Sequence, residues 1–352
     1  MKEQKKGNKR LRLFDLNRDG KGVGKSELQN TSGLKRFFRS FKDNFTKILY
    51  CNILMVLGNF PLMFLIATIP GYTKLDAYVP MHDLFQNLSS YFSLEAPSAS
   101  GMTLYALEGI HNHILVPTVM TYVFYGISAV ALFTFGLVNV GTAYILRNIA
   151  MGEPVFVLTD FKYAIKRNWK QALPFGVIDL LINAILIFNI YSMFVSGSAD
   201  FVSGLLLWAN IIIFVLYFFM RYYIYVQMVT FDLKVFKILK NSLIFSLLGL
   251  KRNLMALLGI LLGVLLEIIC LFGAGGILIP FAVGLPLLIL ISMFAYMKVY
   301  ASYFKIKEIM IDPYNKEHGI TDHKDADEDV IMKDDVTEKQ RLEEIKKRNG
   351  IS

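Results

Sequence analysis

The sequence predicts an all-α, polytopic helical membrane protein: six transmembrane helices in three hairpins, with an interfacial amphipathic helix before each outward span. Three observations predict it. Apolar residues make up 55% of the 352-residue chain and charged residues only 18%, the mean hydropathy is +0.47, and the apolar residues gather in runs of about 20, enough to cross a hydrocarbon core. The basic residues cluster beside those runs. A short pattern, lysine, any residue, asparagine, bulky apolar residue, recurs at the mouths of three spans.

The net charge of +9 fits anionic lipid headgroups better than nucleic acid, because the cations flank apolar runs. The lipid bilayer is therefore the expected partner, with no nucleic acid. Cys51 and Cys270 both fall within apolar spans, where a thiol acts as a small packing residue. Neither a disulfide, a metal site nor a cofactor is expected. The first apolar run begins near Ile48 behind a long basic leader without a small-residue cleavage site, so it is read as a retained span.

Residues 1–31 form a polar, basic leader expected to be disordered and cytoplasmic. Asp15, Asn17, Asp19 and Gly20 match the opening of an EF-hand loop, but its closing position falls on Ser26, with Glu27 one place late. Gly24-Lys25-Ser26 ends like a phosphate-binding loop, yet the position five before Gly24 is Asp19 and no buried strand precedes it. Neither reading is retained.

The transmembrane domain is placed at 32–302. Leu34, Phe37, Phe38, Phe41 and Phe45 recur at helical spacing, with Lys35, Arg36, Arg39 and Lys42 on the complementary face: an amphipathic helix in the headgroup region. The first span follows from Ile48 to Ile69, with Pro61 able to kink it. Gly71 to Val116 is an excursion with one lysine against Asp76, Asp83, Glu95 and Glu108, so the positive-inside rule puts it outside. It holds His82, His111 and His113; without a third ligand these read as surface histidines.

The second span runs from Thr118 to Leu146. In the connector from Arg147 to Gln171, Lys162, Lys166, Arg167 and Lys170 outweigh Glu153 and Asp160, making it cytoplasmic. Gly152-Glu153-Pro154 signals a turn, and Thr159-Asp160 offers an N-cap for a short helix through Gln171. Leu173 to Val195 and Leu205 to Phe231 make the second hairpin. A third basic segment, Asp232 to Asn253, has Asp232 as its expected N-cap. Leu254 to Phe272 and Ile277 to Tyr300 complete the third hairpin, with Pro280, Gly284 and Pro286 breaking the last span's regularity. Residues 303–352 read as a charged cytoplasmic tail with an acidic patch at Asp325, Asp327, Glu328 and Asp329. Both termini are then cytoplasmic.

Three approaches end alike: Lys42-Asp43-Asn44-Phe45, Lys166-Arg167-Asn168-Trp169 and Lys251-Arg252-Asn253-Leu254. They predict a threefold repeat of in-plane helix, outward span and return span, the basic residue meeting phosphate and the asparagine satisfying backbone groups freed at the bend. The segment from Thr142 to Leu173, with that from Val229 to Leu254 and the leader DGKGVGK at Asp19 to Lys25, resembles the YesL-like family of uncharacterised bacterial integral membrane proteins. The resemblance covers Asp15 to Ser302. It implies a Gram-positive plasma-membrane protein, often associated with carbohydrate-uptake gene clusters, and supplies no catalytic residues.

Three ionisable residues at membrane depth are singled out as candidate binding groups: Asp179, Arg221 and Glu267. At about 1.5 Å per residue, Asp179 lies about 9 Å and Arg221 about 6 Å from the cytoplasmic edge of the hydrocarbon core. They are equally far along the chain from Asp200 in the connecting turn, so an ion pair across the hairpin is expected. Glu267 lies about 20 Å from that edge and is expected to be protonated or to bond Asn183, Asn189 or Asn210. With no serine and histidine pair or paired carboxylates at this depth, an enzyme is not expected. Two functions remain: a non-enzymatic accessory or scaffold linked to carbohydrate uptake, partnered with a transporter or other membrane protein, or a small-solute or proton-coupled transporter using Glu267 and Asp179.

Overall fold

The computed structural model describes residues 33–80, 111–196 and 201–317. The leader with its EF-hand-like and phosphate-loop-like stretches, His82, Asp200 and the acidic patch lie outside the described residues.

Helices dominate. α1 (Gly33–Asp43) leads into α2 (Phe45–Asn59) and α3 (Pro61–Thr68). Pro61 lacks the N–H that would continue the helix, and the pair bends by 60° at that break. The excursion that follows departs from a purely helical plan. β1 (Lys74–Pro80) and β2 (His111–Pro117) pair antiparallel, Lys74 opposite Pro117 and Pro80 opposite His111. His111 and His113 thus fall on a strand. Among the described residues, no group of three or more His, Cys, Asp or Glu side chains is placed to hold a metal ion.

α4 (Val119–Ser128) and α5 (Ala131–Met151) make the next span. Thr118 and Thr121 form a reciprocal capping box at its start, and both hydroxyls donate to the carbonyl of Thr73, at 2.6 and 2.7 Å, tying the sheet to the helix. Gly152, at φ +84°, closes α5 in the left-handed region, as the turn signal predicts.

α6 (Val157–Ser196) is one helix of 40 residues, with Pro174 inside it. The expected separate in-plane helix ending at Gln171 is therefore corrected: Lys166, Asn168 and Trp169 ride on the continuous N-terminal part of the same long helix. At 1.5 Å per residue α6 is about 60 Å long, about twice a hydrocarbon core. Asp160 caps from inside the first turn, its carboxylate accepting from the Phe156 N–H at 2.9 Å.

α7 (Phe201–Thr230) returns, followed by α8 (Val235–Leu248) and α9 (Leu250–Phe272). Asp232 does not cap α8. Lys234 holds the N-cap in extended conformation, because Leu233 is buried and its carbonyl accepts from Gln171 Nε2 at 3.2 Å, pulling the chain out of the helix before it can start. The last span is built in pieces: α10 (Ile279–Leu285), a π-turn at Pro286–Leu290, then α11 (Ile291–Ile306). The helical path continues beyond 302 through a second π-turn, Lys307–Ile311, into α12 (Asp312–Glu317). Tyr303, Ile306 and Ile311 are buried, so the polar-looking start of the tail packs on the bundle.

Five helices are long and apolar enough to cross a membrane, or six if the bent pair α2 and α3 is one span. Their outer faces are heavily apolar, with Leu258, Leu262, Ile212 and Phe188 each more than half exposed; that pattern suits a lipid environment. The shared core gathers Ile48, Ile145, Ile149, Tyr223, Met228 and Tyr296 at one end of the bundle.

Candidate functional site

α5 packs most extensively against α6, and glycine explains why. A Cβ on Gly136 would collide with the backbone of Ala172 and Gly176, and one on Gly176 with the backbone of Gly136, so the two helices touch main chain to main chain. One turn beyond Gly176 lies Asp179, fully buried.

Arg221 on α7 reaches it as expected, its Nε lying 2.9 Å from Asp179 Oδ1 and 3.1 Å from Oδ2. Three further donors complete the carboxylate. Tyr217 Oη donates to Oδ1 at 2.8 Å, Tyr225 Oη to Oδ2 at 2.6 Å, and Asn183 Nδ2 to Oδ1 at 2.9 Å. Tyr217, Arg221 and Tyr225 follow one another at four-residue spacing, a stripe along one face of α7. The Arg221 guanidinium also sits 5.6 Å from the Phe135 ring centroid, joining α5. Lys298 on α11 is a fourth ionisable group at membrane depth, omitted from the three singled out above; its Nζ lies 5.9 Å from the Phe218 ring centroid. Two helices, α6 and α7, thus meet on one carboxylate, with α5 and α11 set against α7 through cation–ring contacts.

The structure leaves Glu267 apart from this cluster. Its Oε1 is buried and has no hydrogen-bond partner among the described residues. Two of the asparagines expected to serve it are engaged elsewhere: Asn183 on Asp179, and Asn210 on the Leu206 carbonyl at 2.9 Å and Met193 Sδ at 3.6 Å.

The repeated asparagines do related but unequal work. Asn44 and Gly249 occupy the two helix breaks with similar backbone angles, φ −112°, ψ 18° and φ −94°, ψ 10°. Asn44 Nδ2 donates to Ser40 O at 3.1 Å, ending its helix. Asn253, fully buried, sits after its break rather than at it and reaches back across to Ser246 O at 2.9 Å while accepting from Tyr223 Oη at 2.8 Å. Asn168 donates to Ala164 O at 2.9 Å within an unbroken helix. Lys42, Lys166, Lys251 and Trp169 are all exposed. The motif is shared, but its register against the bend is not.

Two buried residues escape the sequence reading altogether. Asn52 on α2 serves the π-turn of the last span, its Nδ2 donating to Pro286 O at 2.9 Å and Leu287 O at 2.8 Å and its Oδ1 accepting from Ser292 N at 2.8 Å. A lone asparagine inside an apolar run, paired with a proline-broken span elsewhere, is the available signal. Arg147 is also buried, donating from Nη1 to Val229 O at 2.7 Å and Thr230 Oγ1 at 3.3 Å and from Nη2 to Asn148 Oδ1 at 2.9 Å, with its guanidinium 4.8 Å from the Tyr144 ring centroid. Its place at the end of an apolar run makes it look like a headgroup anchor.

Fold and site together define a helical membrane-embedded protein whose intramembrane polar groups join helix to helix. No family model matches the chain, and neither the curated proteins nor the solved structures contain a match.

Proposed function

We propose that this chain is a non-enzymatic scaffold or accessory of the bacterial plasma membrane, with six spans, the bent pair counting as one, and both termini cytoplasmic. The observation that carries the reading is the saturation of Asp179: both oxygens are taken by donors from α6 and α7. A transport carboxylate must exchange its partner for a proton or solute, whereas this one is committed to packing. The positive-inside balance supports the orientation. The resemblance to the YesL-like family supports the plasma-membrane location and the link to carbohydrate uptake, through a transporter or similar membrane partner.

Purification from native membranes in mild detergent tests it. A membrane protein recovered in fixed stoichiometry is the expected result; recovery of this chain alone contradicts it. The transporter reading keeps one observation in its favour, the unpartnered Oε1 of Glu267. Proton or sugar flux that depends on Glu267 would favour it.

A further inference from the structure

At the end of the bundle where α1 docks, a cavity of about 660 Å³ opens between α1, α9 and the extended last helix. One wall is basic, formed by Arg36, Arg252 and Lys307, and the floor is apolar, formed by Phe37, Met255 and Met297 among others. The two guanidinium groups are under-used. Arg36 stacks over Phe304, 4.6 Å from the ring centroid, but among the described residues no carboxylate pairs with it, and its Nε is buried without a hydrogen-bond partner. Arg252 spends Nη2 on Glu308 Oε2 at 2.9 Å, while its Nη1 is buried and unpartnered. Glu308 is itself shared, its Oε1 accepting from Lys305 Nζ at 3.1 Å.

Such a pocket asks for an anion with a tail. Three cations against the two lining carboxylates, Glu308 and Asp312, leave a surplus of one positive charge. A phosphodiester supplies one negative charge and oxygens that accept from several N–H donors at once. Gly259 lets Met297 of α11 lie close against α9, since a Cβ there would stand 3.0 Å from Met297 Sδ, and methionine adapts readily to an alkyl chain. The basic wall lies where α1, an amphipathic helix, brings its cations to the headgroup level.

We propose that this cavity holds one phospholipid with a monoanionic headgroup, its phosphate on Arg36, Arg252 and Lys307 and an acyl chain along Met255, Gly259 and Met297. The site rests on the membrane placement argued above and not on the scaffold role. Bound lipid joins α1 to α9 and α11, and so ties the docking of α1 to the lipid composition of the leaflet.

Native mass spectrometry of the full chain tests this, after titration in neutral detergent with phosphatidylglycerol, phosphatidylethanolamine or glycerol 3-phosphate. One phosphatidylglycerol per chain is expected, with phosphatidylethanolamine at least about tenfold weaker and glycerol 3-phosphate not retained. Arg36→Gln combined with Arg252→Gln lowers phosphatidylglycerol affinity about tenfold or more, as lost charged hydrogen bonds require. Gly259→Leu does the same by filling the floor with every charge left in place, and Lys35→Gln, exposed on α1, changes nothing. Equal retention of phosphatidylglycerol by the wild type and Gly259→Leu overturns the proposal, as does equal affinity for the zwitterionic lipid. Glycerol 3-phosphate bound as tightly as lipid assigns the site to a free phosphate and overturns it too. A chain that stays dispersed without detergent removes the membrane placement instead.

Discussion

Arg221 Nε lies 2.9 Å from Asp179 Oδ1, across the hairpin formed by α6 and α7. Both residues stand 21 positions along the chain from Asp200, which falls between the two helices in sequence, and helices of equal rise bring them level. Two tyrosines of α7 and Asn183 of α6 then fill the carboxylate's remaining lone pairs. A buried pair so completed resists loss of one member far more than loss of both.

Asp179→Leu should therefore cost about 3–5 kcal/mol, because it strands Arg221 and two tyrosyl hydroxyls away from water. Adding Arg221→Met should recover part of that loss. Unfolding by graded addition of a denaturing detergent measures both; strictly additive losses would contradict the coupling.

Asn52→Leu takes a donor from two carbonyls of the π-turn and the acceptor from the Ser292 N–H in the first turn of α11. The expected cost is about 2–4 kcal/mol, from the desolvation of unsatisfied backbone groups. Asn59→Leu is the control, since among the described residues Asn59 Nδ2 bonds Met55 O within its own helix and no group of another helix. The same unfolding assay should separate the two variants clearly.

Gly136→Val should prevent α5 from seating on α6, since the contact there is backbone on backbone. Gly126→Ala and Gly204→Ala, which meet open space, should be tolerated. Size-exclusion profiles in detergent provide the readout. A monodisperse Gly136→Val protein with wild-type stability would show that the helices do not approach as closely as described.

Ser40 Oγ donates to the Ile149 carbonyl at 3.2 Å and accepts from Tyr296 Oη at 2.8 Å. Phe37 stacks on the same tyrosine at 5.2 Å between ring centroids, and Phe41 lies tilted against it at 6.2 Å. Ser40→Leu should release α1 and open its backbone beside Lys35, Arg36 and Arg39 to trypsin. Cleavage should accelerate about tenfold, the response to a loss of about 1.4 kcal/mol in a local opening equilibrium; an unchanged rate would show that α1 is held by other contacts.

Hydropathy makes the membrane helices legible, because backbone groups in lipid must bond within their own segment and only long apolar runs can do so. The Asp179 to Arg221 pair is legible too, being a matter of counting along two helices from one turn. Asn52 is not, since its role depends on a distortion 234 positions away that only Pro286 hints at. The amphipathic pattern of α1 predicts a helix with one apolar face, but not that Phe37 and Phe41 turn to the bundle while Leu34 and Phe38 stay exposed. The repeat misled at α6, where a basic, polar stretch that could have been a separate in-plane helix simply continues the span. Helix propensity carries no signal for where a long helix leaves the bilayer.

The most direct test of the claim that the intramembrane charges hold helices rather than move cargo is flux into proteoliposomes, measured for protons and for sugars. The account predicts rates equal to those of protein-free vesicles for the wild type, Glu267→Gln and Asp179→Asn alike. A wild-type flux that Glu267→Gln or Asp179→Asn abolishes, in protein that remains folded, would contradict it.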